Sequence, residues 1–166
     1  MKHRESEQTQ LRVSRLLNRD SVMLHAEMPS VQTALETLVE LQESNGVITN
    51  GTAYYKAVCE RERAGGTTAI GEGLAIPHAC NAGVASLGLA ALTLTRGLDW
   101  GAADGKLVDM IFMVAVPPDR QSDYLLILAR LVNLLSDHRL TEKLRMADTR
   151  ESFIRILNQT EAAIFA

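Results

Sequence analysis

Residues 108–116 read Val-Asp-Met-Ile-Phe-Met-Val-Ala-Val, an almost continuously apolar run interrupted by one aspartate. A strand with one wet face alternates apolar and polar residues, because successive side chains point to opposite sides of the sheet. This run does not alternate, so it fits a central strand covered on both faces. Such a strand demands a sheet with an apolar layer above it and another below.

The rest of the chain supplies those layers. Leu87–Thr95 (LGLAALTLT) is a second long strand, and Gly97–Gly105 (GLDWGAADG), dense in turn formers, joins it to the first. Ser21–Glu27 and Leu74–Ile76 are shorter strand candidates. Ser30 is placed to cap a helix carrying Val31, Ala34, Leu35, Leu38, Val39 and Leu41 at helical spacing, with Gly46 as its stop. A second helix is expected over Thr52–Ala64, ended by Gly65-Gly66. After Pro117-Pro118, a helix capped by Ser122 or Asp123 runs to Leu135, and a shorter one covers Leu140–Met146. Asp148-x-x-Glu151 resembles a capping box before Phe153, Ile154 and Leu157. The expected fold class is α/β, an α/β/α sandwich with a central mixed β-sheet and helices on both faces. With 166 residues, one domain is expected: a polar N-terminal extension over 1–20, the domain over 21–160, and a tail over 161–166.

Composition narrows the function. A net charge of −3 and the absence of a Lys/Arg cluster argue against nucleic-acid binding. Cys59 and Cys80 form no C-x-x-C pair, and no H-E-x-x-H or H-x-H spacing occurs, so neither a metal nor another cofactor is expected. The N-terminus MKHRESEQTQ is polar throughout, and no apolar run approaches the ~20 residues of a membrane helix. A cytoplasmic protein with reduced thiols and no direct membrane insertion is the expectation.

One stretch asks for chemistry: Gly71–Cys80, GEGLAIPHAC. Pro77 has no N–H and a fixed φ, and it biases Ile76 toward extended geometry, so His78 is held stiffly where the strand is expected to stop. Gly71, Gly73, Ala79, Ala82 and Gly83 leave little bulk along the chain on either side. An imidazole there can serve as general base, metal ligand or nucleophile, or can simply be hydrogen-bonded at a strand end.

The octapeptide G-E-G-L-A-I-P-H closely resembles the active-site signature of the fructose/mannitol class of enzyme IIA domains of the bacterial phosphoenolpyruvate-dependent sugar phosphotransferase system. The resemblance extends upstream through AVCERERAGGTTAIG and downstream through LDWGAADGKLVDMIFMVAVP and YLLILARLVNLL, over roughly residues 20–160. It implies a phosphotransferase in which His78 accepts a phosphoryl group from the phosphocarrier protein HPr. His78 would then pass the group to a cysteine of an enzyme IIB domain during uptake of a fructose-like or related sugar. The alternative within the same fold is a regulatory, nitrogen-related enzyme IIA acting through its phosphorylation state.

By the same resemblance, Arg61 matches the family arginine near the phosphorylated histidine, where a guanidinium can hold two phosphate oxygens at once. The stretch from Arg61 to His78 is one residue longer than the family pattern, which puts an insertion in the Gly65–Thr68 turn. Thr67 or Thr68 would offer the phosphoryl group a hydroxyl or a backbone donor, or act only in that turn. Tyr124 stands where the family commonly carries a second histidine, keeping a hydroxyl but losing titration near neutral pH. The docking face is expected to be an apolar ring of Leu74, Ile76 and Ala79 around His78. His25 and His138 read as surface residues, and Asp99 and Asp104 as turn residues.

Overall fold

The structure is a computed structural model and describes residues 11–165. Two 3-10 turns, Val13–Leu16 and Arg19–Ser21, lead into strand β1, Val22–Ala26. Helices α1 (Val31–Ser44) and α2 (Gly51–Ala64) follow. Then come three short strands, β2 (Ala69–Gly71), β3 (Leu74–Ala75) and β4 (His78–Cys80), and two long ones, β5 (Gly88–Leu98) and β6 (Val108–Val116). Helices α3 (Gln121–Leu135), α4 (His138–Met146) and α5 (Arg150–Ile164) close the chain.

The strands form one mixed sheet in the order β1-β5-β6-β3-β2, with β4 also on β6. β1 runs parallel to β5, β5 antiparallel to β6, and β3 and β4 parallel to β6. The run over 108–116 is the central strand, and its parity divides the core. Met110, Phe112, Val114 and Val116 face the layer made by α3, α4, α5 and the first 3-10 turn. Ile111, Met113 and Ala115 face α1 and α2. Residues 110–116 are all at most 1% exposed, which explains why the run needed no polar alternation. At about 1.5–3 kcal/mol for each large apolar side chain removed from water, this strand is a principal source of stability. The sandwich is the fold that the apolar run required.

The short strands hold the site. β3 pairs Leu74 with Met110, and β4 pairs His78 with Val114, so the offset to β6 is 36 residues in both (110 − 74 and 114 − 78). They are therefore one interrupted strand in unbroken register. At the break, the Ile76 amide turns away to the Thr68 carbonyl at 3.0 Å, while the Pro77 carbonyl accepts from the Val114 amide at 3.0 Å. The expectation that the strand stops at His78 is thus corrected. Proline removes one donor, but its carbonyl still serves the ladder, and the strand resumes at the histidine.

Other expectations shift at the helix ends. Ser30 Oγ accepts from the Thr33 amide as expected, and Gly46 adopts a left-handed φ of 73° just past α1. The first residue before α3 is Arg120 rather than Ser122 or Asp123, and Asp123 instead pairs with the Arg120 guanidinium. For α5 the cap is Thr149, whose Oγ1 accepts from the Ser152 amide at 3.1 Å. Asp148 faces His25 Nε2 at 3.6 Å.

The packed body extends past 21–160 on both sides. Of the expected extension, residues 1–10 lie outside the described residues, but Val13 and Leu17 are buried in the core. Of the expected tail, 161–164 complete α5, and the fully buried Glu161 accepts from the Val13 amide at 2.7 Å, the Ser14 amide at 3.1 Å and Ser14 Oγ at 2.7 Å. Arg130 Nε lies 3.4 Å from the same carboxylate. One buried charge ties the start of the chain to its end.

Candidate functional site

His78 is the first residue of β4, which pairs with β6 on one side and, among the described residues, has no strand on the other. The imidazole therefore lies at an open edge of the sheet, half-buried between the two helix layers. Ala57, Glu60, Arg61 and Ala64 of α2 form one wall of a cleft of about 550 Å³, and Gln121, Tyr124 and Leu125 of α3 form the other, with Ala79, Cys80 and Val116 between. His78 Nδ1 lies 2.8 Å from the Ile76 carbonyl oxygen. A carbonyl only accepts, so Nδ1 carries the proton and donates, and Nε2 keeps its lone pair. Nε2 makes no hydrogen bond among the described residues. Local backbone geometry thus sets the tautomer of a nucleophile.

Tyr124 packs beside it, with ring centroids 5.5 Å apart at an interplanar angle of 35°. Burial pushes the Tyr124 hydroxyl above its ordinary pKa, and the Arg61 charge opposes that rise. The phenol consequently stays protonated through neutral pH and can donate. Arg61 lies in the cleft wall, and its Nη1 donates to the Gly66 carbonyl at 3.1 Å. The structure therefore brings together three of the expected site residues: His78, Arg61 and Tyr124.

Thr67 is not among them. Its hydroxyl donates to the Trp100 carbonyl at 2.8 Å and accepts from the Ala69 amide at 3.1 Å. It lines a different cleft, of about 760 Å³, on the α1 side of α2. Thr68 is likewise committed, donating its hydroxyl to the Glu62 carboxylate and accepting from Trp100 Nε1 at 3.2 Å. Both hydroxyls brace the turn after α2, and Thr67, expected beside a phosphoryl group on His78, does not line the cleft that holds His78.

The glycines of G-E-G-L-A-I-P-H also have another task. Gly71, Glu72 and Gly73 all have positive φ, 92°, 57° and 79°, and form the hairpin turn between β2 and β3. A Cβ on Gly73 would come within 2.9 Å of Asp109 Oδ1 and 3.0 Å of Arg145 Nη2. The turn is further held by Asp104 Oδ2 accepting from the Glu72 amide at 2.8 Å and by Lys106 Nζ donating to Glu72 at 2.7 Å. These glycines shape the far end of β3 and do not clear space around the histidine.

The expected docking ring is also corrected. Leu74, Ile76 and Ala79 are 3%, 2% and 9% exposed, because they belong to the sheet core. The apolar surface beside His78 comes from α3 instead, where Leu125 is 62% exposed. Gln121, Glu60 and Cys80 join the cleft without having been anticipated; Cys80 could have been found, since positions two apart in a strand share a face. His138 is exposed at the start of α4, as expected. Among the described residues no group of three His, Cys, Asp or Glu side chains is placed to hold a metal ion, and no helix is long and apolar enough to cross a membrane.

Comparison with known proteins matches residues 15–160 to the family described as "Phosphoenolpyruvate-dependent sugar phosphotransferase system, EIIA 2". The chain is 29% identical over 149 residues to the PTS system fructose-specific EIIABC component of Bacillus subtilis, covering 90% of this chain but 23% of that protein. It thus spans about a quarter of the length of that relative. It is 31% identical over 142 residues to the nitrogen regulatory protein of Bradyrhizobium diazoefficiens, covering 83% of this chain and 92% of that protein. The crystal structure of nitrogen regulatory protein IIA-Ntr from Neisseria meningitidis superposes with a TM-score of 0.81 at 27% identity, covering 87% of this chain and 98% of that one.

Proposed function

Because the chain belongs to the EIIA 2 family of the phosphoenolpyruvate-dependent sugar phosphotransferase system, we propose that it is a phosphocarrier with His78 as the phosphoryl acceptor. The observation that carries this reading is the Ile76–His78 hydrogen bond, which leaves Nε2 unprotonated in an open cleft. The Nε2 lone pair attacks the phosphorus of a phosphohistidine donor, the HPr phosphocarrier. The donor N–P bond breaks, its electron pair returns to the donor imidazole, and an N–P bond forms at His78 Nε2. The proton stays on Nδ1, hydrogen-bonded to the Ile76 carbonyl, and the donor ring keeps the proton on its other nitrogen, so the exchange needs no net proton transfer.

Catalysis in such a step is mainly alignment and charge stabilisation. Among the described residues Arg61 is the one Lys or Arg in the cleft wall and supplies the charge; Tyr124 supplies a neutral donor. The phosphoryl group then leaves for a cysteine of an enzyme IIB domain, serving uptake of a fructose-like or related sugar. A second reading is favoured by likeness to the nitrogen regulatory proteins. The chain is 31% identical to a nitrogen regulatory protein and superposes on a IIA-Ntr structure with a TM-score of 0.81, which suits a regulator whose phosphorylation state is the signal.

Incubation with phosphoenolpyruvate, enzyme I and HPr should add one acid-labile phosphoryl group to His78, found by mass spectrometry of the intact chain and its peptides. A His78→Ala chain that still takes up the group would overturn the assignment. Loss of the group to added enzyme IIB selects transport; retention in the presence of IIB domains selects regulation.

A further inference from the structure

Two adjacent glycines follow α2, and the structure gives them different reasons to be glycine. Gly66 has φ 76°, a conformation costly for any side chain, yet a Cβ there would meet nothing within 4 Å. Gly65 has φ −104° and ψ 11°, which other residues adopt, but a Cβ there would lie 2.3 Å from Arg61 Nη1, 2.7 Å from Arg61 Cζ and 3.2 Å from Arg61 Nε. The three nearest atoms all belong to one guanidinium. Gly65 is therefore small for the sake of the Arg61 side chain and not of the backbone.

That guanidinium folds back over Gly65 and donates from Nη1 to the Gly66 carbonyl at 3.1 Å. The carbonyl belongs to a turn whose next two residues are hydrogen-bonded to distant groups. Thr67 Oγ1 is bonded to the Trp100 carbonyl, and Thr68 is bonded to both Glu62 and Trp100 Nε1. Arg61 meanwhile lines the cleft that holds His78, and its charge is felt at Tyr124. Arg61 thus has a braced neutral acceptor beside it and the His78 imidazole in the same cleft.

We propose that the Gly65-Gly66 turn is a parking site for the Arg61 guanidinium, which holds it on the Gly66 carbonyl while His78 is unmodified and releases it to the phosphate oxygens once His78 is phosphorylated. Gly65 is then a positioning residue for the phosphoryl transfer. The inference rests on the reading of His78 given above. A phosphate dianion outcompetes a single carbonyl for a guanidinium, because it offers two charged acceptors in a matching geometry. The parked pose stabilises the unmodified form only, so it weakens net phosphorylation and makes the group easier to pass on.

The test uses Gly65→Ala, Arg61→Ala and the double variant in the full chain. An alanine at 65 suits the backbone and crowds only the far end of a flexible side chain, so thermal unfolding should be unchanged. With HPr and its phosphorylated form at a fixed ratio, Gly65→Ala should shift the equilibrium at His78 toward the phosphorylated state by about two- to fivefold, the worth of one exposed hydrogen bond. The same change in the Arg61→Ala background should do nothing. A Gly65→Ala equilibrium equal to wild type, or an equal shift without Arg61, overturns the proposal. If the wild-type chain takes no phosphoryl group on His78, the functional reading falls instead. The parked pose is still read separately, from the guanidinium NMR signals of Arg61 in the unmodified protein. Restricted rotation in wild type that is lost in Gly65→Ala is expected, and identical spectra overturn the pose.

Discussion

The Nδ1 atom of His78 lies 2.8 Å from the carbonyl oxygen of Ile76, two residues back along the chain. Gly73 and Pro77 give their carbonyls to β6, so by strand alternation the Ile76 carbonyl points away from β6 and is free to meet the ring, while the Pro77 carbonyl keeps the strand attached through Val114. The phosphohistidine formed should therefore be the Nε2 isomer. Proton–nitrogen correlation spectra of the phosphorylated chain distinguish it from the Nδ1 isomer, and an Nδ1 phosphoryl group would contradict the tautomer assigned here.

Tyr124 separates ring packing from hydroxyl chemistry. Tyr124→Phe keeps the ring 5.5 Å from His78 and removes one donor, so transfer should slow by about tenfold, the order of one hydrogen bond to a charged group. Tyr124→His should add a titration near about pH 6.5 to the rate profile, because an imidazole changes charge there and a tyrosine whose pKa is raised does not. Matching pH profiles of transfer for Tyr124→His and wild type would show that the residue does not act on the phosphoryl group.

Gly73→Ala should destabilise the fold and spare the chemistry. Its φ of 79° costs about 1–2 kcal/mol for a residue with a Cβ, and that Cβ would press on Asp109 and Arg145. Urea unfolding should show the loss, while phosphorylation of the fraction that remains folded proceeds at the wild-type rate.

Glu161→Ala leaves the Val13 and Ser14 amides without their shared buried acceptor and Arg130 without its ion-pair partner. A loss of about 3–5 kcal/mol is expected for breaking such a buried charged network. Trimming the chain ahead of residue 15 should cost a comparable amount, since it removes the other half of the same contact and the buried Val13. A truncation as stable as the full chain would show that this tie is dispensable.

Alkaline stability reports on Tyr54. Its phenol is fully buried, burial drives its pKa up strongly, and its hydroxyl donates to the Val114 carbonyl at 2.8 Å. Because the folded-state pKa is raised, the folded chain holds this proton more tightly than the unfolded one. The stabilisation is complete below the unfolded value near about 10 and is lost as pH rises beyond it. Tyr54→Phe should lower stability at pH 7 by about 1 kcal/mol and flatten its decline above pH 10, measured by urea titration at each pH.

Local physics was legible in the chain itself. The almost continuously apolar run over 108–116 required a sheet covered on both faces, the spacing of Val31 to Leu41 required a helix, and Pro77 beside His78 marked a stiff histidine. Each of these depends on neighbours within a few positions: the pleat, the helical turn, the ring of a proline. What the tertiary structure alone decided is which distant groups meet. Strand register sends the G-E-G glycines to Asp104, Asp109 and Arg145 rather than to His78, and the Trp100 turn takes the Thr67 hydroxyl. The open edge beside β4 sets Arg61 from one helix layer and Tyr124 from the other around a single imidazole. Those partners lie from 17 (78 − 61) to 72 (145 − 73) residues away, and no periodicity along the chain encodes them, because they follow from how the two layers close over one sheet.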